Sequence, residues 1–177
     1  EAQKSISERF GGTYTEPYGE VYKRLKAALD KADLGDAFKI TMSRDGVEIS
    51  FLGTVFFNSG SADIKNEAKD ILLKIIPVMQ EESKDLIVTI EGHTDNIPLN
   101  PGALYKNNWE LSSIRACRVL DFFEVNGFQK DKLTAIGYAD NKPAVSNLNP
   151  DGTGNPQNQA QNRRVVIKVS RPEKSTL

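Results

Sequence analysis

The chain has 177 residues, 38% of them hydrophobic and 27% charged, and its 23 basic and 24 acidic side chains leave a formal net charge of −1. That length suits one domain with an appendage and can bury a full core, while so even a charge balance provides no global field to draw in nucleic acid or an anionic membrane. A membrane span needs about 18 unbroken apolar residues, and the best stretch, Ile71 to Met79, is interrupted by Lys74 and Pro77.

From its start at Glu1 the chain shows no basic-then-apolar signal, so it reads as an excised or processed fragment whose targeting or spanning segment lies outside it. Residues 1–20 mix Gly, Ser, Thr and charges and read as a linker or partly ordered lead. Tyr18, Val21, Tyr22, Leu25, Leu29 and Ala32 then fall on one face of a helix, which Gly35 ends. Phe38, Ile40 and Met42, and again Val47, Ile49 and Phe51, alternate around Asp45-Gly46 and predict a hairpin. Residues 56–63 read as a loop. The next helix carries Ala68, Ile71, Leu72, Ile75 and Met79, with Ser61 or Asp63 expected to cap it, and Pro77 with the charges from Glu81 to Asp85 expected to close it.

Leu86 to Ile90 alternates as a strand that leads into Glu91-Gly92-His93-Thr94-Asp95. After a Pro- and Asn-rich loop, Asn107 and Glu110 have capping-box spacing, and a long helix runs to Gly127. Its apolar residues Leu111, Ile114, Ala116, Val119, Leu120, Phe122 and Phe123 cover more than one face, which predicts a helix sandwiched between layers. Leu133 to Tyr138 predicts a strand. Residues 141–162, dense in Asn, Gln, Gly and Pro, are expected to remain a surface loop without order of their own. Val165 to Val169 is the last strand. The order implies an α+β fold: a two-layer sandwich of a mixed β-sheet covered by helices, preceded by an N-terminal helix and a flexible lead. The expected divisions are a linker and amphipathic helix over 1–36, the domain proper over 37–171 and a tail over 172–177.

The chemistry is narrow. One His and one Cys do not make a zinc site, which takes three or four protein ligands, so no metal or other cofactor is expected. Cys117, among Ile114, Ala116, Val119 and Leu120, is expected to be buried packing, and His93 a packing or hydrogen-bonding residue. Asp95 follows a strand, where α/β sheets place ligands, and either accepts charged donors or caps a turn. Arg115 sits among apolar neighbours and either binds an anion or snorkels. Arg163 and Arg164 open the last strand, where edge charges are ordinary.

Five segments in order, Phe57 through Asp63, Glu91 through Asp95, Leu111-Ser112-Ser113-Ile114-Arg115-Ala116, Gly137-Tyr138-Ala139-Asp140 and Asn162-Arg163-Arg164-Val165, resemble the OmpA-like peptidoglycan-binding domain family over about Phe51 to Val169. Within it, Asn96-Ile97-Pro98 and Asn108-Trp109-Glu110-Leu111-Ser112 resemble the MotB/PomB subunits of bacterial flagellar stators.

The resemblance implies a non-catalytic wall anchor, the periplasmic part of a single-pass inner-membrane protein. Such a subunit works as a homodimer with an ion-channel partner subunit, and peptidoglycan is its ligand. It also implies that Asp95 and Arg115 hold the diaminopimelate of the stem peptide, with Thr94, Leu111 and Arg163 lining the pocket and Asn58 and Ser59 facing it. The segments 96–106 and 141–162 are longer than in minimal family members and are expected to shape the rim. Two other readings stay open: an outer-membrane or lipoprotein tether, and a wall hydrolase pairing Asp95 with Glu91 or Glu110.

Overall fold

The computed structural model describes residues 17–82 and 84–172; the expected lead and tail lie almost wholly outside these. Five strands, β1 (Phe38–Met42), β2 (Val47–Leu52), β3 (Ile87–His93), β4 (Leu133–Gly137) and β5 (Arg164–Ser170), form one sheet in the order β1-β2-β5-β3-β4. All neighbours are antiparallel except β3 and β4. Parallel neighbours require a crossover, and helix α4 (Asn108–Val125) supplies it. The helices α1 (Gly19–Asp30), α2 (Gly53–Phe56), α3 (Asn66–Glu82) and α5 (Pro156–Asn162) complete a mixed α+β sandwich. Among the described residues no helix is long and apolar enough to cross a membrane.

Strand alternation sorts the sheet into an apolar face and a charged one. Val47, Ile49, Phe51, Val88, Ile90, Val165, Ile167 and Val169 are buried in the core beneath the helices. Lys39, Glu48, Arg164, Lys168, Glu91 and His93 share the other face by register. Helix α1 buries Val21, Leu25 and Leu29, spaced four apart, in the same core. Its Arg24 pairs with Glu81, and with Glu82 at 2.6 Å, at the end of α3.

Several local expectations are corrected. The chain makes the short helix α2 before the loop that starts at Phe57. Helix α3 is not capped by Ser61 or Asp63; the Ser61 hydroxyl accepts the Asp63 N–H at 3.0 Å in a turn ahead of it, and the first helical bond runs from Lys69 N to Lys65 O. Pro77 lies inside α3 rather than ending it. The carbonyl it leaves without an N–H partner is that of Leu73, a residue on the exposed side of the helix. Asn107 does cap α4, accepting the Glu110 N–H at 2.9 Å, but the Glu110 carboxylate reaches the Lys106 N–H instead of returning to Asn107.

Helix α4 is not sandwiched. Its buried side chains, Leu111, Ser112, Arg115, Ala116, Val119 and Phe123, repeat at helical spacing along one face. Cys117 is exposed, because it points away from the face that Ala116 and Val119 bury. The segment 141–162 is ordered and ends in α5. Asn155 caps α5, accepting the Asn158 N–H at 3.1 Å, and Pro156 opens it.

What sets α4 against the sheet is space. Gly92 and Gly137 are partners across β3 and β4. A Cβ on Gly92 would lie 2.1 Å from the Ser112 carbonyl oxygen, and one on Gly137 would lie 2.2 Å from the Ser113 hydroxyl. The helix backbone therefore rests directly on two strands. Gly92→Ala pushes the first turns of α4 outward and is expected to destabilise the fold by about 3 kcal/mol, as overpacking of a rigid contact does; urea unfolding of the purified variant measures it.

Candidate functional site

Beyond the carboxyl end of β3 and the amino end of β5, which are neighbours in the antiparallel pair, lies an open cleft of about 690 Å³. Asn58, Ser59, Thr94, Asp95, Leu111, Arg115 and Arg163 all line it, so the structure brings every candidate residue to one place. Sequence reasoning missed two parts of its wall: Gly53 and Thr54 at the start of α2, and the apolar run Ile97 to Leu99 with Pro101 and Ala103. Only the length of the 96–106 segment pointed to the second.

Asp95 is buried. Its Oδ1 accepts the Ile97 N–H at 2.9 Å, and its Oδ2 pairs with the Arg163 guanidinium. Thr94, also buried, donates its hydroxyl to the Asp95 carbonyl at 2.9 Å. Asn108 on α4 donates to the carbonyls of Asp95 and Ile97 at 3.3 and 2.9 Å. The Asx-type turn and the charged donor coexist here, since a carboxylate has about four acceptor positions.

Arg115 enters from α4. It is 8% exposed, with Nε donating to the Ser61 carbonyl at 2.8 Å and an Nη to the Asn58 carbonyl at 3.2 Å. Its guanidinium carbon lies 4.8 Å from the centre of the Phe57 ring. Among the described residues no carboxylate pairs with it. Burial, and then the charge of Arg163, draw its pKa down to about 10 against the opposing influence of Tyr105; it stays charged at neutral pH. The cleft thus holds two guanidiniums and one carboxylate, a net charge of +1 held partly out of water.

Three further hydrogen bonds lock the surroundings. The Ser112 hydroxyl accepts the Ala139 N–H at 3.0 Å, the Thr94 N–H donates to the Ala139 carbonyl at 2.8 Å, and the Gly53 N–H donates to the Arg163 carbonyl at 2.7 Å. Neither Glu91 nor Glu110 joins Asp95 as a catalytic pair would. Glu110 binds the Lys106 N–H. Glu91 lies on the charged face of the sheet, 2.7 Å from Lys168 Nζ and 3.0 Å from His93 Nε2. Among the described residues no three His, Cys, Asp or Glu side chains converge to hold a metal ion.

His93 stacks on Tyr138 with ring centres 5.2 Å apart. Its Nε2–H donates to Glu91, and its Nδ1 is buried without a partner, which suits a lone pair better than a second N–H. Burial foremost, with the charges of Arg164 and Lys168, pushes its pKa below the ordinary histidine value, although Glu91 pulls it up.

The sequence profile of the OmpA family matches residues 56–162, more than half of the chain. Motility protein B of Bacillus subtilis is 30% identical over 72% of this chain and 46% of its own length. The chain spans about half the length, or less, of the curated relatives it matches. A solved MotB-like protein of Desulfovibrio vulgaris superposes with a TM-score of 0.76 at 22% identity, covering 87% of this chain and 94% of that one, and so shares its fold. The cell wall anchor of the T6SS of Pseudomonas aeruginosa superposes with a TM-score of 0.70 at 28% identity over 85% of this chain and 99% of that one.

A histidine that resists protonation when folded but not when unfolded makes the unfolded chain the better proton acceptor, so stability falls as pH drops below about 6.5 and continues to fall until the folded value is reached. His93→Gln removes this component. Urea unfolding at pH 7.5 and 5.5 is expected to show a smaller acid loss for the variant than for the parent protein.

Proposed function

The chain belongs to the OmpA family, and from that premise we propose that it is a non-catalytic peptidoglycan anchor whose cleft grips the free end of a diaminopimelate side chain. The observation that carries this reading is Arg115, a buried guanidinium with no carboxylate partner among the described residues, opening into the same cleft as Asp95. The free end of diaminopimelate bears an ammonium and a carboxylate on one carbon. Asp95 receives the ammonium and Arg115 the carboxylate, and a planar guanidinium can hold a carboxylate through two parallel bonds.

The reading also explains the discrimination such a site needs. Lysine in the same peptide position lacks the carboxylate and leaves Arg115 buried and unpaired, as does a diaminopimelate whose carboxylate is amidated. Thr94, Leu111, Arg163, Asn58 and Ser59 shape the walls around the two charged contacts. Catalysis is not part of this proposal: Asp95 is engaged with Arg163 and Ile97, and the other candidate carboxylates are bound elsewhere.

Since relatives of this chain carry the name Motility protein B, the anchor is assigned to a flagellar stator. In that assignment it is the periplasmic part of a single-pass inner-membrane subunit and pairs as a homodimer alongside an ion-channel partner subunit. Two wall sites per dimer strengthen attachment by roughly 10²–10⁴ through effective concentration alone. The resemblance to a T6SS cell wall anchor supports a second reading, the same wall contact serving a secretion machine; motility of a deletion strain separates the two.

Asp95→Asn and Arg115→Ala each remove a charge-assisted contact of about 1.5–3 kcal/mol, and are expected to weaken binding of a diaminopimelate stem tripeptide by roughly 10- to 150-fold with the circular dichroism spectrum unchanged. In a pull-down with purified sacculi the parent protein sediments and releases no soluble muropeptides. Sedimentation undiminished in both variants would locate the contact elsewhere, and released fragments would favour the hydrolase.

A further inference from the structure

We propose that Gln159, which does not line the cleft, positions the Asp95 carboxylate for the ligand's ammonium, acting through Asn96; this rests on the reading of the cleft given above. Gln159 is a buried side chain on α5, and its Nε2 donates to Asn96 Oδ1 at 2.9 Å. Asn96 is the residue between Asp95 and Ile97, whose N–H holds one carboxylate oxygen of Asp95. One helical turn beyond Gln159, Arg163 holds the other, and the Arg163 N–H bonds back to the Gln159 carbonyl at 3.1 Å. Asp95, Asn96, Gln159 and Arg163 therefore close a ring in which α5 controls both sides of the carboxylate.

Helix α5 is anchored without help from this contact. Asn162, fully buried, uses its whole hydrogen-bonding capacity: Oδ1 accepts from Ala144 N and Val145 N, and Nδ2 donates to the Val145 carbonyl and Asn147 Oδ1. Removing the Gln159 amide frees Asn96 while leaving the helix in place. Arg115 lies outside the ring, fixed by carbonyls of the 57–61 segment. The consequence is selective: loss of Gln159 weakens recognition of the ammonium and spares recognition of the carboxylate.

Two probes separate these halves, a stem tripeptide ending in meso-diaminopimelate and the same peptide ending in 2-aminopimelate, which keeps the distal carboxylate and lacks the distal amine. Calorimetric titration of the chain is expected to give a preference for the first probe. Gln159→Leu reduces that preference about tenfold, the size of change that follows when one charge-assisted contact loses its geometry, with affinity for the second probe unchanged. Asn96→Ala, at the other end of the bond, has the same effect, and the double variant is no worse than either single one, as coupled residues require. Equal loss on both probes, no loss on either, or additive effects overturn the role of Gln159. A parent protein without preference for the ammonium-bearing probe overturns the reading of Asp95 itself, and this proposal with it.

Discussion

The contact of the α4 backbone with the paired glycines of β3 and β4 governs the geometry of this molecule. A helix normally stands off a sheet by the thickness of two side-chain layers, and any side chain at Gly92 or Gly137 would collide with Ser112 or Ser113. With none there, the amino-terminal half of α4 drops to the level at which β3 ends. Leu111 and Arg115 then project into the space that Thr94 and Asp95 enter from the strand. The nineteen residues between Asp95 and Arg115 are bridged by this descent rather than by the intervening loop.

Around that contact the separate sequence segments become one hydrogen-bonded structure. Ser112 of the helix holds Ala139 after β4, Ala139 holds Thr94, Asp95 holds Arg163, and Arg115 holds the carbonyls of Asn58 and Ser61. Each segment supplies a partner that another would otherwise lack. This is a physical reason for five short motifs to occur together in a fixed order: a buried polar network stabilises only when its members are satisfied.

Sequence reasoning read most of the apolar layer well because the pattern there is periodic. The hairpin, β3, α1 and α3 all follow from spacings of two or of three and four, whereas the apolar residues on the outer faces of α4 suggested a sandwiched helix where only one stripe is buried. It failed where order is polar. Residues 141–162 offer no core side chain, and the expectation that such a segment cannot order itself neglects amides that bond to one another and to backbone, as Asn162, Asn155 and Asn149 do. The Asn155-Pro156 pair was the available signal for α5, a capping residue followed by a proline suited to a first turn. Cys117 was misjudged for a simpler reason: apolar neighbours in sequence lie on several sides of a helix, and only position on the wheel tells which is inside. For the cleft, the charged residues and their meeting in one pocket were legible as a family pattern, but the physical cause of that meeting was not, since it depends on Gly92 and Gly137 meeting α4 from two strands.

The two arginines of the cleft differ in a way that matters for a binding site. Arg163 is matched by Asp95 and is substantially open to water, so its charge is already balanced and it holds the acid in place. Among the described residues Arg115 is matched by neutral carbonyls and an aromatic face, not by a carboxylate. Carbonyl dipoles occupy two of its N–H groups without cancelling its charge, and its burial limits the ability of water to do so. Had a resident carboxylate occupied that place, an incoming one would have to displace it, and much of the attraction would be spent in the exchange. As built, a carboxylate entering the cleft would meet an unneutralised cation. An ammonium beside it would share an acid that still has acceptor positions beyond those used by Arg163 and Ile97, so a zwitterion would not need to break an ion pair of the protein.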